Sequence, residues 1–206
     1  MRSEELGLIR VDCGDVACIP IAGLEGIAGR MGGVHTLGSL IESLNGVRIP
    51  GGDVRTLTAC TADGGTYHAV AIGIDPTGLK SRKVGTLAGD GVAVARDDLI
   101  YLLEDCGVAG IGADDVDGLL EQCGGFECCF HADGGYGVDA MEHEGQEFTA
   151  IGLNKDIVRF LRDDELDFNE WYKQNPPPDD IGTGRDFNEA KWKAYADQHR
   201  ELIRQG

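Results

Sequence analysis

Short segments of alternating apolar and polar residues, separated by glycine-rich turns, fill most of the chain up to residue 154. Residues 54–60 and 66–74 have this strand-like alternation and flank an Ala-Asp-Gly-Gly turn. Because Asp-Gly and Gly-Gly supply the positive φ angles of tight turns, these residues predict a β-hairpin. Its turn residues are Asp63, Gly64 and Gly65.

The same turn phrase occurs again at residues 131–136. It predicts a second hairpin, formed by residues 126–131 and 136–153. Both predicted hairpins end in Ala-Ile-Gly, at residues 71–73 and 150–152. This repetition predicts a tandem duplication with two related antiparallel β subdomains. The turn residues of the second hairpin are Asp133, Gly134 and Gly135.

Three stretches between the strands have the apolar spacing of short helices. Residues 35–44 are followed by Asn-Gly, which is a suitable helix end. A second helix is predicted over residues 99–103, with Asp97 or Asp98 as its N-cap. A third begins at Asp114-Asp115 and ends at the next Gly-Gly pair. We expect these helices to cover the strands.

After residue 154 the composition changes, and both tryptophans lie in this part. Asp-Phe-Asn-Glu occurs at residues 167–170 and 186–189, on either side of a proline-rich break at residues 175–180. In each phrase Asp can cap a helix while Glu reaches back to it, which is a capping box. Residues 187–204 then have amphipathic helical spacing. The pattern therefore predicts a helical C-terminal tail.

The aromatic face of this tail must cover an apolar surface. It packs back on the β subdomains, as amphipathic helices usually do, or it docks on another chain. The aromatic residues that would contact another chain are Trp171, Tyr172, Phe187, Trp192 and Tyr195.

Together these patterns predict an α+β, β-dominated fold: two related antiparallel β subdomains with short covering helices and a helical C-terminal tail. The predicted parts are residues 1–80 for the first β repeat, 81–155 for the second and 156–206 for the tail. A chain of 206 residues is long enough to bury a proper core.

The net charge of −18 arises from 36 acidic against 18 basic residues. Such a surface repels free nucleic acid and anionic membranes, so neither is an expected partner. Three explanations stay open: a solubilising surface, adaptation to high salt, and an acidic face that docks on a basic protein.

No apolar run approaches the roughly 20 residues that span a bilayer. The first residues also lack the basic-then-apolar order of a signal peptide. The expected location is therefore the cytoplasm, or the virion for a phage protein. In a reducing compartment the seven cysteines would stay thiols, most of them small buried apolar residues on strands.

Thiolates and an imidazole, which are the ligand types of structural zinc, cluster at Cys123, Cys128, Cys129 and His131. No C-x2-C spacing is present, and strand alternation puts Cys128 and Cys129 on opposite faces. Cys129 and His131 share a face, so two ligands can converge. We expect no cofactor, with zinc as the alternative.

A thiol nucleophile is the second candidate chemistry, because it needs only a cysteine beside a base. Cys60 lies across the first predicted hairpin from His68, and Cys129 precedes His131 by two residues. No phosphate-binding loop, dinucleotide-binding, metalloprotease or nucleophilic-serine motif is present in the sequence. We therefore identify no catalytic residue and favour a non-enzyme.

The opening Val11-Asp12-Cys13-Gly14-Asp15, followed by a short apolar strand, resembles the V-D-S-G opening of an uncharacterised β-rich family of bacteria and phages. That family later carries a G-D-G-x-Y-P-V hairpin, which residues 62–67 and 132–138 resemble. Cys13 stands in place of the serine, and Gly137 in place of the proline. The resemblance implies a β-rich fold and no established activity.

We therefore expect a non-enzymatic, acidic binding or inhibitor-type protein, of phage or bacterial origin, that acts through protein–protein contacts. One alternative is a structural protein associated with a capsid or its assembly. The other is a Cys/His metalloprotein or thiol enzyme. A homo-oligomer is compatible with each of these.

Overall fold

The predicted α+β class is confirmed by the computed structural model, which has two antiparallel sheets and a helix near its C-terminal end. Helices and strands occupy similar lengths of chain. The structure describes residues 4–11, 15–61, 65–73, 77–106, 113–128, 134–152 and 157–205.

Within these residues the strands are β1 (Glu4–Val11), β2 (Val16–Pro20), β3 (Val47–Ile49), β4 (Gly52–Thr61), β5 (Thr66–Ile72), β6 (Ser81–Leu87), β7 (Gly91–Ala95), β8 (Phe126–Cys128), β9 (Gly134–His143), β10 (Gln146–Ile151) and β11 (Ile157–Phe160). The helices are α1 (Ile21–Arg30), α2 (Leu37–Ser43), α3 (Arg96–Asp105), α4 (Ala113–Gln122), α5 (Phe168–Gln174) and α6 (Glu189–Gln205). Two short 3-10 turns cover Asp179–Ile181 and Gly184–Asp186.

The strands form a large and a small sheet. The strand order in the large sheet is β1-β9-β10-β5-β4-β11, and β6 also pairs with β4. The order in the small sheet is β3-β7-β2-β8. Strands from both predicted halves of the chain therefore share each sheet.

The chain forms two compact units. The first unit consists of residues 1–56, 69–75 and 82–154, and the second of residues 57–68, 76–81 and 155–206. The second unit therefore contains the predicted tail together with parts of β4 and β5.

The two central strands of the small sheet, β2 and β7, are buried on both faces in the first unit. Val16 and Cys18 of β2 pack into a core with large-sheet residues such as Val54 and Val138. The residue between them, Ala17, lies in a second core with the helices. Because alternate strand residues point to opposite faces, the small sheet lies between the large sheet and the helical layer.

The helical layer contains α1 to α4, whose apolar residues share one core with the outer face of β2 and β7. Its fully buried members include Leu24 and Ile27 of α1, Leu40 of α2, Leu103 of α3 and Val116 of α4, at 0–1% exposure. The predicted role of the helices in covering the strands is thus confirmed for this unit.

The order of elements occurs twice along the chain. A strand pair, a helix pair and three strands follow one another from β1 to β5 and again from β6 to β10. The ends of the helix pairs are alike: Gly46 donates its N–H to the Ile41 carbonyl, and Gly125 donates to the Leu120 carbonyl, both at 2.8 Å. A tandem duplication would explain this order, and it stays a prediction.

The first predicted hairpin is present. β4 and β5 are neighbours in the large sheet, and the Thr61 N–H bonds to the Gly65 carbonyl at 2.9 Å. Asp63 and Gly64 lie outside the described residues.

The second predicted hairpin is wrong. β8 pairs with β2 in the small sheet, whereas β9 pairs with β1 and β10 in the large one. Gly134 and Gly135 lie at the start of β9, opposite Val11 and Arg10, and Asp133 lies outside the described residues. The repeated turn phrase therefore has different positions in the two halves.

The hairpin of the second half joins β9 to β10 instead. His143 lies opposite Gln146, and the two residues between them, Glu144 and Gly145, have φ angles of 51° and 81°. Positive φ at both positions is typical of a type I′ turn, which matches the twist of the flanking strands. Glu-Gly is a weaker turn signal than Asn-Gly, so the sequence pattern did not predict this hairpin.

The predicted helix starts were partly right. α2 lies within the predicted residues 35–44, with Thr36 as its N-cap, and α5 has the predicted capping box of Asp167 and Glu170. The second predicted box is wrong, because the side chain of Asn188 accepts an N–H at the start of α6. α3 starts at Arg96, before both predicted caps. α1 has three glycines, which obscured its periodicity.

The predicted tail contributes residues to both small cores of the second unit. Trp171, Ile181 and Tyr195 form one small core, and Cys60, Leu161 and Ile203 form another. The tail therefore packs on strand residues of its own unit, as amphipathicity predicts.

Arg159 of β11 holds α6 in the second unit. Its two terminal nitrogens bind the two Glu165 carboxylate oxygens at 2.7 and 2.6 Å, and Nη2 also donates to the Ile203 carbonyl at 2.7 Å. The fork geometry of arginine makes such paired bonds stronger than single contacts. The Arg159 hydrogen bond to Glu165 in turn lowers the pKa of that carboxyl group.

Gly23→Ala and Gly26→Ala form a matched pair in α1. A Cβ at Gly23 would lie 2.5 Å from the Cys123 carbonyl oxygen, whereas a Cβ at Gly26 would meet nothing within 4 Å. We expect Gly23→Ala to lower the free energy of unfolding by about 1–3 kcal/mol through overpacking. Gly26→Ala should raise it by about 0.5–1 kcal/mol by favouring the helix. Denaturant unfolding measures both, and equal effects would contradict the packing of α1 on the end of α4.

Arg159→Lys should destabilise the second unit by about 1–3 kcal/mol, because lysine cannot bind Glu165 and the Ile203 carbonyl with a fork. Both tryptophans lie in this unit, so tryptophan fluorescence during unfolding measures it. Arg162→Lys is the control, because its Nε lies 3.5 Å from Asp164 at an exposed site. A loss in Arg159→Lys no larger than in Arg162→Lys would show that Arg159 is dispensable.

Candidate functional site

Three strand ends of the small sheet meet at one place in the first unit. The first residue of β2 lies opposite the last residues of β7 and β8. This register brings together Asp15, Arg96 and Glu127, each of which lies next to one of those end residues. Asp117 of α4 also reaches this place through Arg96. We call these four residues the strand-end cluster.

Arg96 connects the elements of the cluster. Its Nε lies 2.7 Å from Glu127 Oε2, and its Nη2 lies 2.9 Å from Asp117 Oδ1. Its backbone N–H donates to the Asp15 carbonyl at 2.8 Å. The Arg96 side chain is only 15% exposed, so water screens these contacts less than it screens surface ion pairs. The hydrogen bond with Asp117 raises the pKa of Arg96.

Glu127 carries the unusual electrostatics of the cluster. Burial and a side-chain hydrogen bond with Asp15 raise the pKa of Glu127 to about 7, although the charge of Arg96 opposes the shift. Two ionised carboxylates have no proton to share, so this hydrogen bond requires a proton on one of them. A carboxyl group that titrates near neutral pH can both donate and accept a proton under ordinary conditions.

In the described part of the chain, the opposite end of the small sheet has no counterpart of the pair formed by Asp15 and Glu127. There the Ile21 N–H donates to the Asp90 carbonyl at 3.0 Å, as the Arg96 N–H does to Asp15. An apolar side chain thus occupies the place of Arg96. In the repeated order, the middle residue of β3 is Arg48 and the middle residue of β8 is Glu127. At the end with Ile21 and Asp90 the small sheet folds without a carboxyl pair. The backbone geometry therefore does not require the strand-end cluster.

The sequence alone did not identify the strand-end cluster. With 36 acidic residues, no carboxyl pair is distinguishable by spacing. One usable signal was a single charge inside an apolar strand, since Glu127 is the only charged residue between Phe126 and Phe130. Its pairing with Asp15 depends on strand register, which the pattern did not give.

The structure does not bring together the two described members of the predicted zinc cluster. Cys128 is 1% exposed in the core between the sheets, whereas Cys123 packs on the helical side of the small sheet. Cys129 and His131 lie outside the described residues. Among the described residues, no three His, Cys, Asp or Glu side chains are arranged to hold a metal ion.

Three of the described thiols, Cys60, Cys123 and Cys128, have surroundings that raise the pKa of the thiol. A hydrogen bond with Cys18, together with burial, raises the pKa of Cys128. Burial also raises the pKa values of Cys123 and Cys60. Each of these shifts favours the neutral thiol over the reactive thiolate.

The predicted pair of Cys60 and His68 makes other contacts. Cys60 Sγ bonds to the Arg159 carbonyl at 3.4 Å, and His68 Nδ1 lies 3.3 Å from the Thr58 hydroxyl. Cys60 is buried, whereas His68 is exposed.

The five aromatic residues predicted to contact another chain fall into two groups. Trp171 and Tyr195 are 6% and 5% exposed, with ring centroids 4.9 Å apart, so they belong to the core of the second unit. Tyr172 and Phe187 are exposed, and Trp192 is half-buried. Only the latter three offer aromatic surface to a ligand.

Charge is divided unequally between the units. The first unit carries 23 of the 36 acidic residues but only 8 of the 18 basic ones. Much of this excess lies on the helical layer, where Glu104, Asp105, Asp115 and Glu121 are exposed. Among the described helices, none is both long and apolar enough to cross a membrane.

Glu127→Gln should remove a pH dependence of stability. Because the folded pKa of Glu127 is raised from 4.5 to about 7, its proton stabilises the folded state at low pH. That contribution is lost as the pH rises from 4.5 to about 7, at a cost of about 2–3 kcal/mol. Glutamine can donate to Asp15 at every pH, so the variant should be more stable than the wild type above neutral pH.

Denaturant unfolding on both sides of this pH range measures the effect. Glu121→Gln is the matched control, because it removes an exposed carboxylate from α4. If Glu127→Gln and Glu121→Gln show the same pH profile, the hydrogen bond between Asp15 and Glu127 has no influence on stability.

Comparisons with protein-family models, with curated proteins and with solved structures find no match to this chain. The resemblance of Val11–Asp15 to the opening of a bacterial and phage family therefore stays a prediction. The functional argument rests on the residues of the chain itself.

Proposed function

We propose that the chain is a non-enzymatic binding or inhibitor-type protein whose acidic helical layer docks on a basic protein partner. The unequal division of charge is the observation that carries this proposal. The acidic residues follow the length of the two units, but basic residues are scarce in the first unit, so most of the net negative charge lies there. Complementary charge steers a basic partner to such a surface and speeds association.

The exposed side of α3 is suited to such docking. Asp97, Tyr101, Glu104 and Asp105 follow one another at helical spacings of four, three and one residues, which places them on one side of the helix. Tyr101 is 66% exposed among these acidic side chains. Tyrosine is enriched at protein interfaces because it combines apolar area with a hydroxyl group.

The helix ends support a role in binding. The last turns of α3 and α4 contain no basic residue. Glu104, Asp105 and Glu121 lie there, close to the negative end of the helix dipole, where a carboxylate costs about 0.3–1 kcal/mol. Acidic residues at an unfavourable position indicate that the charge serves something other than helix stability.

Two triple variants with equal charge change test the proposal. One neutralises Glu104, Asp105 and Glu121 in the helical layer, and the other neutralises Glu142, Glu144 and Glu147 in the hairpin of β9 and β10. All six side chains are exposed in the first unit. We expect the helical variant to bind its partner about tenfold more weakly, and the hairpin variant to bind it nearly unchanged.

Affinity capture at low and high salt, followed by titration of the captured protein against each variant, provides the measurement. The captured protein should be basic and should dissociate as salt rises, because exposed charges are screened. Binding that is independent of salt, or equal losses in the two variants, would contradict docking through the helical layer.

A further inference from the structure

The end of α2 is followed by the single Asn-Gly pair of the sequence, Asn45 and Gly46. Asn45 is exposed and has a φ angle of 47°, in the left-handed region that asparagine tolerates better than most residues. Gly46 packs on β7, where a Cβ would lie 2.6 Å from Val92 Cγ1 and 3.2 Å from Val94 Cγ1. The turn therefore favours asparagine at the first position, and packing favours glycine at the second.

An Asn-Gly pair can modify itself without an enzyme. The backbone nitrogen of the glycine attacks the side-chain carbon Cγ of the asparagine, and its proton passes through solvent to the leaving amide nitrogen. The Cγ–Nδ2 bond breaks, and ammonia is released. The succinimide ring that remains takes up one water molecule and opens to aspartate or to isoaspartate. Water is the only co-reactant, and no atom is oxidised or reduced.

The folded end of α2 holds the two reacting groups apart. The Gly46 N–H donates to the Ile41 carbonyl at 2.8 Å, and the Asn45 N–H donates to the Glu42 carbonyl at 3.1 Å. These are the two bonds of a Schellman motif, which surrounds a left-handed residue. Such a residue has a ψ angle of about +47°, which turns the next backbone nitrogen away from its Cβ. Ring closure needs that nitrogen beside Cγ, so the Gly46 hydrogen bond must break first.

We propose that Asn45 is a deamidation site that reacts only when the last turn of α2 opens. Helix ends fray, and α2 has only seven residues. Isoaspartate adds a methylene group to the main chain between α2 and β3, so the bonds to Ile41 and Glu42 can no longer form together. The modification therefore makes a transient opening of the helix end permanent. The proposal does not depend on docking through the helical layer.

Incubation of the full chain in mildly alkaline buffer, followed by peptide mass mapping, tests this. The mapping detects the mass gain from amide to carboxyl and separates aspartate from isoaspartate peptides. In denaturant we expect Asn45 to react faster than the other asparagines, none of which precedes a glycine. In the folded chain we expect the reaction at Asn45 to be about tenfold slower than in denaturant, because the opened turn is a minor state.

Thr36→Ala tests whether opening of α2 controls the rate. The Thr36 hydroxyl accepts the Ser39 N–H at 3.2 Å at the start of α2, so its loss favours opening of this helix. We expect the folded variant to deamidate at Asn45 about fivefold faster than the wild type. The matched control is Asn188→Ala, which removes the side chain that accepts the Lys191 N–H at the start of α6. It should leave the rate at Asn45 unchanged.

Three outcomes would overturn the proposal. The first is that Asn45 reacts no faster than the other asparagines in denaturant. The second is that Asn45 reacts at the same rate in the folded and the denatured chain, which would show that the closed turn gives no protection. The third is that folded Thr36→Ala deamidates at Asn45 no faster than Asn188→Ala, including the case in which neither variant yields product.

Discussion

The first unit depends on two five-residue strands that have no solvent-facing side. Every residue of β2 and β7 is buried, and the two strands pair along their whole length. Such strands need a cover on each face, since an exposed apolar face would be lost to water. The large sheet supplies one cover and the four helices supply the other. The small sheet therefore needs both covers in place to keep its apolar side chains out of water.

The same constraint explains the position of the strand-end cluster. Side chains within β2 and β7 are enclosed, so polar side chains reach this central pair only at the ends of the two strands and from the edge strands β3 and β8. At one end Arg96 and Glu127 use that opening, and at the other end Ile21 fills it with an apolar side chain. The two ends share a backbone hydrogen bond but differ in charge. Comparison of the two ends therefore separates the contacts that the backbone requires from those that the side chains add.

Much of the local structure was predictable from the sequence, because local signals lie within a few residues. The Asp167–Glu170 capping box and the first hairpin are examples. Long-range pairing was not predictable in this way. The strand at Phe126–Cys128 was recognised, yet its partner is β2, more than a hundred residues earlier. The Asp-Gly-Gly phrase misled because Gly134 and Gly135 begin a strand, where they lie opposite β1.

The candidate sites also combine local features, which the sequence predicts, with long-range contacts, which it does not. Sequence alone named the exposed aromatic residues Tyr172 and Phe187, but it could not separate them from Trp171 and Tyr195, since burial depends on the packing of α5 against α6. It also could not select Asp15 and Glu127, because their contact depends on register. The composition gives the net charge, whereas the position of exposed acidic residues on the helical layer is known only from the fold.

The four cysteines of the first unit that the structure describes lie at two depths. Cys106 and Cys123 are half-buried beside the helices, whereas Cys18 and Cys128 are enclosed between the sheets. A thiol-specific reagent would therefore reach the helical layer before it reached the sheet interface. The order in which these four sulfur atoms become labelled would record the order in which the layers separate, without any engineered cysteine.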